Sequence, residues 1–233
     1  MALQHEAQMR LGGNFVRPVD YGTLLMDTNA TLVLDGDTQQ EVPCDVMTNG
    51  GGDRFIVTNV VFENTSGQPM LLTGPFTVEE ELVLMEGVIE VSNEGAVIVK
   101  DGATISGGSA MAYIDGPITK IGSTNGKNFV FPTGDGGVYA PLEISPLSHP
   151  DDEFTIQYRD DPPPIEEVIK SPVSRINGQG HWSMERKTGS TIPDVTLNWE
   201  DAEARGIDDI ETAVVVFVDT TANSQTPKWS YKI

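Results

Sequence analysis

The chain has 233 residues, 38% of them hydrophobic, which suits one large domain or two small ones and excludes wholesale disorder. Thirty-five acidic against 14 basic residues give a formal charge of -21, a surface that repels phosphate backbones and anionic headgroups. Nucleic-acid binding is therefore not expected, no apolar run approaches the ~20 residues that membrane insertion needs, and the lone Cys44 excludes an intrachain disulfide and a cysteine zinc site.

The first ten residues fit either one helical turn or a strand through Gln8-Met9-Arg10-Leu11, interrupted by Gly12-Gly13-Asn14. Met1–Glu6 lacks a basic stretch followed by an apolar one, so no signal peptide is expected, and export would make this a mature or excised piece. Short apolar runs then recur: 31–34, 55–62, 70–72, 76–78, 81–85, 88–91 and 96–99. Gly, Asn and Pro turns bound them, among them Asp35-Gly36, Asn64-Thr65-Ser66-Gly67, Gly74-Pro75 and Asp101-Gly102. The runs are too short for amphipathic helices and too close together for βαβ units. An antiparallel sandwich and a parallel β-solenoid both fit this spacing. Little of the turn chemistry is that of hairpins, with Asp101-Gly102 the one candidate, which favours the solenoid.

The texture changes at Tyr113-Ile114-Asp115-Gly116-Pro117-Ile118-Thr119-Lys120 and Phe129–Pro141. Beyond it, Pro141–Ser145 and Phe154–Arg159 alternate with period two, as half-buried strands do. A stiff Asp160-Asp161-Pro162-Pro163-Pro164 connection follows, and then strands within 175–186, 191–199, 213–219 and 229–233. Residues 165–169 and 200–206 read as short helical turns. The expected fold is all-β, with a parallel β-solenoid over 1–112 and an antiparallel β-sandwich over 113–233, joined through 113–141.

Several of these segments together resemble a module of large secreted and cell-surface proteins of the Bacteroidetes, exported by the type IX route and adhesin-like. They are Leu11–Phe15, Leu32–Gly36 with Gln39-Gln40, Phe55–Val57, Leu72–Val78, Leu82–Gly87, Ile105–Pro117, His181–Ser190 and Val195–Trp199. The resemblance implies a β-solenoid carrying a β-sandwich, in an extracellular or cell-surface protein. It transfers no catalytic residue.

Among possible sites, the adjacent acids Glu79-Glu80-Glu81, Asp151-Asp152-Glu153, Asp160-Asp161 and Asp208-Asp209 read as solvated surface, because neighbours in a strand face opposite ways. Calcium is the ion the turns would suit, through Asp35, Asp37 and Asp135 in Gly-rich loops, although ordinary turn chemistry explains them as well. The chain is otherwise expected to need no cofactor. His5, His149 and His181 lie apart without metal-ligand spacing. Trp182, Trp199 and Trp229 are expected in the sandwich core, with Trp199 and Trp229 the alternative platforms for a glycan. Asn29-Ala30-Thr31 and Asn64-Thr65-Ser66 match the glycosylation triplet, a pattern that also arises by chance.

The expected function is non-enzymatic: an extracellular structural or adhesive module that associates with itself head to tail, or with neighbouring modules of one surface protein. A glycan-binding or polysaccharide-cleaving solenoid is the alternative. Cleavage would need two carboxylates ~5–10 Å apart across a groove.

Overall fold

The computed structural model describes residues 2–3, 6–14, 25–27, 29–44, 55–92, 95–163, 178–198, 215–219 and 228–232. In chain order the strands begin with β1 (Ala2–Leu3), β2 (Gln8–Leu11), β3 (Leu25–Met26), β4 (Thr31–Leu34) and β5 (Glu41–Val42). Next come β6 (Phe55–Glu63), β7 (Met70–Leu72), β8 (Phe76–Glu86), β9 (Ile89–Val91), β10 (Val97–Val99) and β11 (Thr104–Gly107). After them are β12 (Ile114–Asp115), β13 (Ile118–Ile121), β14 (Phe129–Phe131), β15 (Thr133–Asp135), β16 (Val138–Tyr139) and β17 (Leu142–Ile144). The last are β18 (Glu153–Arg159), β19 (His181–Thr188), β20 (Val195–Leu197), β21 (Val215–Asp219) and β22 (Lys228–Lys232). Among the described residues there is no helix.

The chain winds as a parallel β-solenoid of about five turns. One face stacks β2, β4, β6, β8, β10 and β13 in parallel, and a second stacks β5, β7, β9, β12 and β15. Parallel pairing thus runs past residue 112. Strands buried on both faces need no alternation of polarity, and Val97, Ile98 and Val99 are all buried. Asp101-Gly102 makes no hairpin, since β10 and β11 on either side of it both pair in parallel with β8.

Register stacks like on like. Phe55, Phe76, Val97 and Ile118 stand side by side, each 21 residues after the one before. Beside them Val57, Val78 and Val99 form a second inward column, whose fourth member is Lys120. Phe76 is fully buried, stacked on Phe55 at 5.3 Å and tilted against Phe62 at 5.8 Å. Each such ring removes 150–250 Å² from water, so this column is a main source of stability.

The corners are polar, and their backbone groups are bonded by side chains from neighbouring coils. Buried Gln40 donates to the carbonyls of Leu11 (2.7 Å) and Gly13 (2.9 Å) and accepts from Gly36 N–H (3.0 Å). Buried Asn64 donates to Thr38 O and Gln40 Oε1, both at 2.9 Å, and accepts from Ser66 N–H. The Asn64 triplet is therefore closed to glycosylation in the folded chain. At Gly116 the backbone turns with φ 147, and a Cβ there would lie 2.6 Å from Val91 Cβ, so only glycine fits this corner.

Beyond β13 the first face changes sense, while the second adds β15 in parallel on β12 before it closes. β18 lies antiparallel on β13 and β19 antiparallel on β18, extending the solenoid's own sheet, while β16 closes back on β15. β14, β17 and β20 form a separate antiparallel sheet whose inward residues join the same core. These sheets are mixed continuations of the solenoid. The antiparallel strands expected at Pro141–Ser145 and Phe154–Arg159 are present as β17 and β18.

Compact packing divides the chain into Met1–Asp160 with His181–Glu200, and Asp161–Gly180 with Asp201–Ile233. In the second unit the described residues form one antiparallel ladder, β21 on β22, with Val218 opposite Trp229. The helical turns expected at 165–169 and 200–206 lie outside the described residues.

Candidate functional site

Titratable and aromatic groups concentrate where the second solenoid face ends. β15 turns into β16 through Gly136 and Gly137, both at positive φ (60° and 92°), the two-residue hairpin geometry that matches strand twist. Gly134 is buried, and a Cβ on it would strike the Tyr113 ring. That close approach lets Tyr113 pack under the hairpin, where its hydroxyl accepts from Gly137 N–H at 2.9 Å and its ring lies 6.3 Å from Tyr139.

The register then brings acids together. On the parallel ladder Asp115 stands beside Glu90 on one side and Gly134 on the other, with Asp135 next along. Parallel neighbours are ~4.8 Å apart, close enough for like charges to oppose one another. Burial, then the Asp135 charge, pushes the Asp115 carboxyl up to about 6; Glu90 adds to this, while the Gly136 N–H and Arg159 oppose it. Burial also raises the Tyr113 phenol, helped by Asp115 and Asp135 and resisted by the Gly137 N–H. Asp135 itself accepts from Asp160 N–H at 2.9 Å, which ties the end of β18 to this hairpin.

The three residues chosen from sequence as calcium ligands are not gathered at one point. Asp35 accepts from Arg10 Nε at 2.8 Å, and the same guanidinium reaches Glu63 at 3.2 Å, so its carboxylate already has a cation. Asp37 is exposed in the following bend. Asp135 stands at the far end of the coil stack beside Asp115. Among the described residues no group of three or more His, Cys, Asp or Glu side chains is placed to hold a metal ion.

Trp199 lies outside the described residues, and Trp229 is placed in β22 by its backbone alone. Trp182 is half-buried, with its indole N–H donating to Ala140 O at 2.9 Å and its ring 5.1 Å from Tyr158. Asp152, read from sequence as surface, is fully buried. Burial works against its charge, but the Thr191 hydroxyl and N–H outweigh that and hold its pKa below the usual carboxylate range. It clamps the loop after β19 to the start of β18.

Asp115 and Lys120 escaped the sequence reading. Lys120 was legible by parity, being two positions from the inward Ile118 on one strand. Asp115 was not, because its acidic neighbours come from other coils. The chain matches no protein-family profile, no curated protein and no solved structure.

Proposed function

We propose that this chain is a non-enzymatic, extracellular or cell-surface structural module, a rigid β-solenoid spacer that associates with further copies or with neighbouring modules of a surface protein. The observation that carries this reading is the recurrence of inward side chains in register from coil to coil, Phe55, Phe76, Val97 and Ile118 in one column and Val57, Val78 and Val99 in the next. A stack of that kind resists bending, and it repeats a surface at fixed spacing. The resemblance to adhesin-like secreted modules points the same way. The proposal includes a β-sandwich within 113–233, supported by the antiparallel sheet of β14, β17 and β20 and by the β18–β19 ladder. Head-to-tail association predicts higher-order species on a sizing column and fibres by electron microscopy, promoted by salt because copies with a charge of -21 repel. A strictly monomeric protein at high concentration and high salt would refute the association.

Polysaccharide cleavage has one observation in its favour: Asp115, raised to about 6, beside the second carboxylate of Asp135. Turnover on a panel of acidic and neutral polysaccharides, abolished by Asp115→Asn, would establish that reading in place of the structural one.

A further inference from the structure

The inward column Val57, Val78, Val99 passes in register through three parallel coils to Lys120, and beyond Lys120 stands Phe154 of the antiparallel β18. Lys120 is fully buried. Its Nζ donates to the carbonyls of Lys100 (2.5 Å) and Ile121 (3.0 Å) and lies 5.5 Å from the centre of the Phe129 ring. One ammonium thus gathers the end of β10, β13 and β14. Among the described residues no carboxylate pairs with it, and Asp101 acts on it only through space. Two carbonyls and a ring replace part of the lost hydration, and burial draws the amine down to about 8. Beside it, the Thr119 and Thr155 hydroxyls meet at 2.8 Å across the β13–β18 pair.

These polar groups sit where the apolar pattern alone leaves an ambiguity. With like residues recurring every 21 positions, β18, which turns Phe154 and Ile156 inward, matches Val97–Val99 as well as it matches Ile118–Lys120. A threonine at this position also occurs in β8, as Thr77, but only β13 carries the lysine. A single buried polar residue in an apolar repeat can fix register while lowering stability. We propose that Lys120 is the stop signal of the parallel stack, its buried ammonium selecting the coil on which the antiparallel cap β18–β19 closes. On this face no further parallel strand is added, although β15 still pairs in parallel with β12 on the second, because the interior behind β13 is already occupied by a charge that its own corner carbonyls satisfy.

The test compares the full chain with Lys120→Met, which keeps the apolar stem and removes the charge. Two-dimensional amide NMR is expected to show more than one set of signals for β18 and β19 in the variant, as the cap samples more than one coil. A single set at the parent's positions overturns the proposal. A second readout is the pH dependence of unfolding. The folded chain binds the Lys120 proton less tightly than the unfolded chain, so the parent should gain about tenfold in its folding equilibrium from pH 7 to 9, and the variant should not. An equal slope in both proteins overturns the proposal. If the variant does not fold, a 13C titration of Lys120 Cε in the parent decides: a midpoint near 8 supports the buried stop signal, and an ordinary one near 10.5 overturns it.

Discussion

The coils of β6, β8 and β10 and the end formed by β12–β19 draw on the same residue types for different purposes. In the coils the columns Phe55, Phe76, Val97 and Val57, Val78, Val99 are apolar throughout, so stability is largely a sum of similar contacts between neighbouring coils. At the end, the inward column receives Lys120, the ladder brings Glu90, Asp115 and Asp135 alongside one another, and the strands reverse direction. Repetition builds length, whereas breaking the repetition sets where it stops.

The contrast can be broken most forcibly in the coils. Phe76→Ala should cost about 3–5 kcal/mol, read as a lower denaturant midpoint with an unchanged slope, because the ring is fully buried between two others. A cost under about 1 kcal/mol would mean that the column is not close-packed. Gln40→Ala should cost about 2 kcal/mol, since it strips partners from Leu11 O, Gly13 O and Gly36 N–H at once. Thr77→Val should instead stabilise by about 1 kcal/mol. Its hydroxyl is buried without a hydrogen-bond partner, and a methyl of the same shape removes that penalty.

At the charged end the signature is in pH. The raised Asp115 carboxyl binds its proton more tightly when folded, so its contribution is present in acid and is lost as pH rises from about 4 to about 6. Asp115→Asn should flatten the stability profile across that window and leave it unchanged elsewhere; a wild-type slope retained in the variant would exonerate this carboxyl. The smallest effect is expected at Asp37, an exposed bend residue. Asp37→Asn should change stability by less than about 0.5 kcal/mol and leave any calcium-dependent shift in melting as it was.

How much was legible follows from the same contrast. Runs such as Val97-Ile98-Val99 announce buried strands by composition, and the scarcity of hairpin turns tells parallel from antiparallel. Register is not local, because Phe76 meets residues 21 positions away in each direction, and no propensity encodes that distance. Of the acids read as surface, Glu79, Glu80, Glu81, Asp151, Asp160 and Asp161 are exposed, whereas Asp152 is buried under Thr191; Asp115, which was not singled out, is shifted by burial and by Asp135, surroundings that only the winding supplies. Asp35 was read as a candidate calcium ligand in a Gly-rich turn, when Arg10 from the previous coil already holds its carboxylate.

The parallel stack as the rigid part of the molecule is tested most directly by hydrogen exchange on the full chain, resolved by residue. Rigidity that resides in the repeated coils predicts that the slowest amides lie in β6, β8 and β10 and exchange together as one cooperative unit, with β18 and β19 opening earlier. If the slowest amides lie in β18 and β19 and those of β6–β10 exchange independently and fast, the stack is not the scaffold.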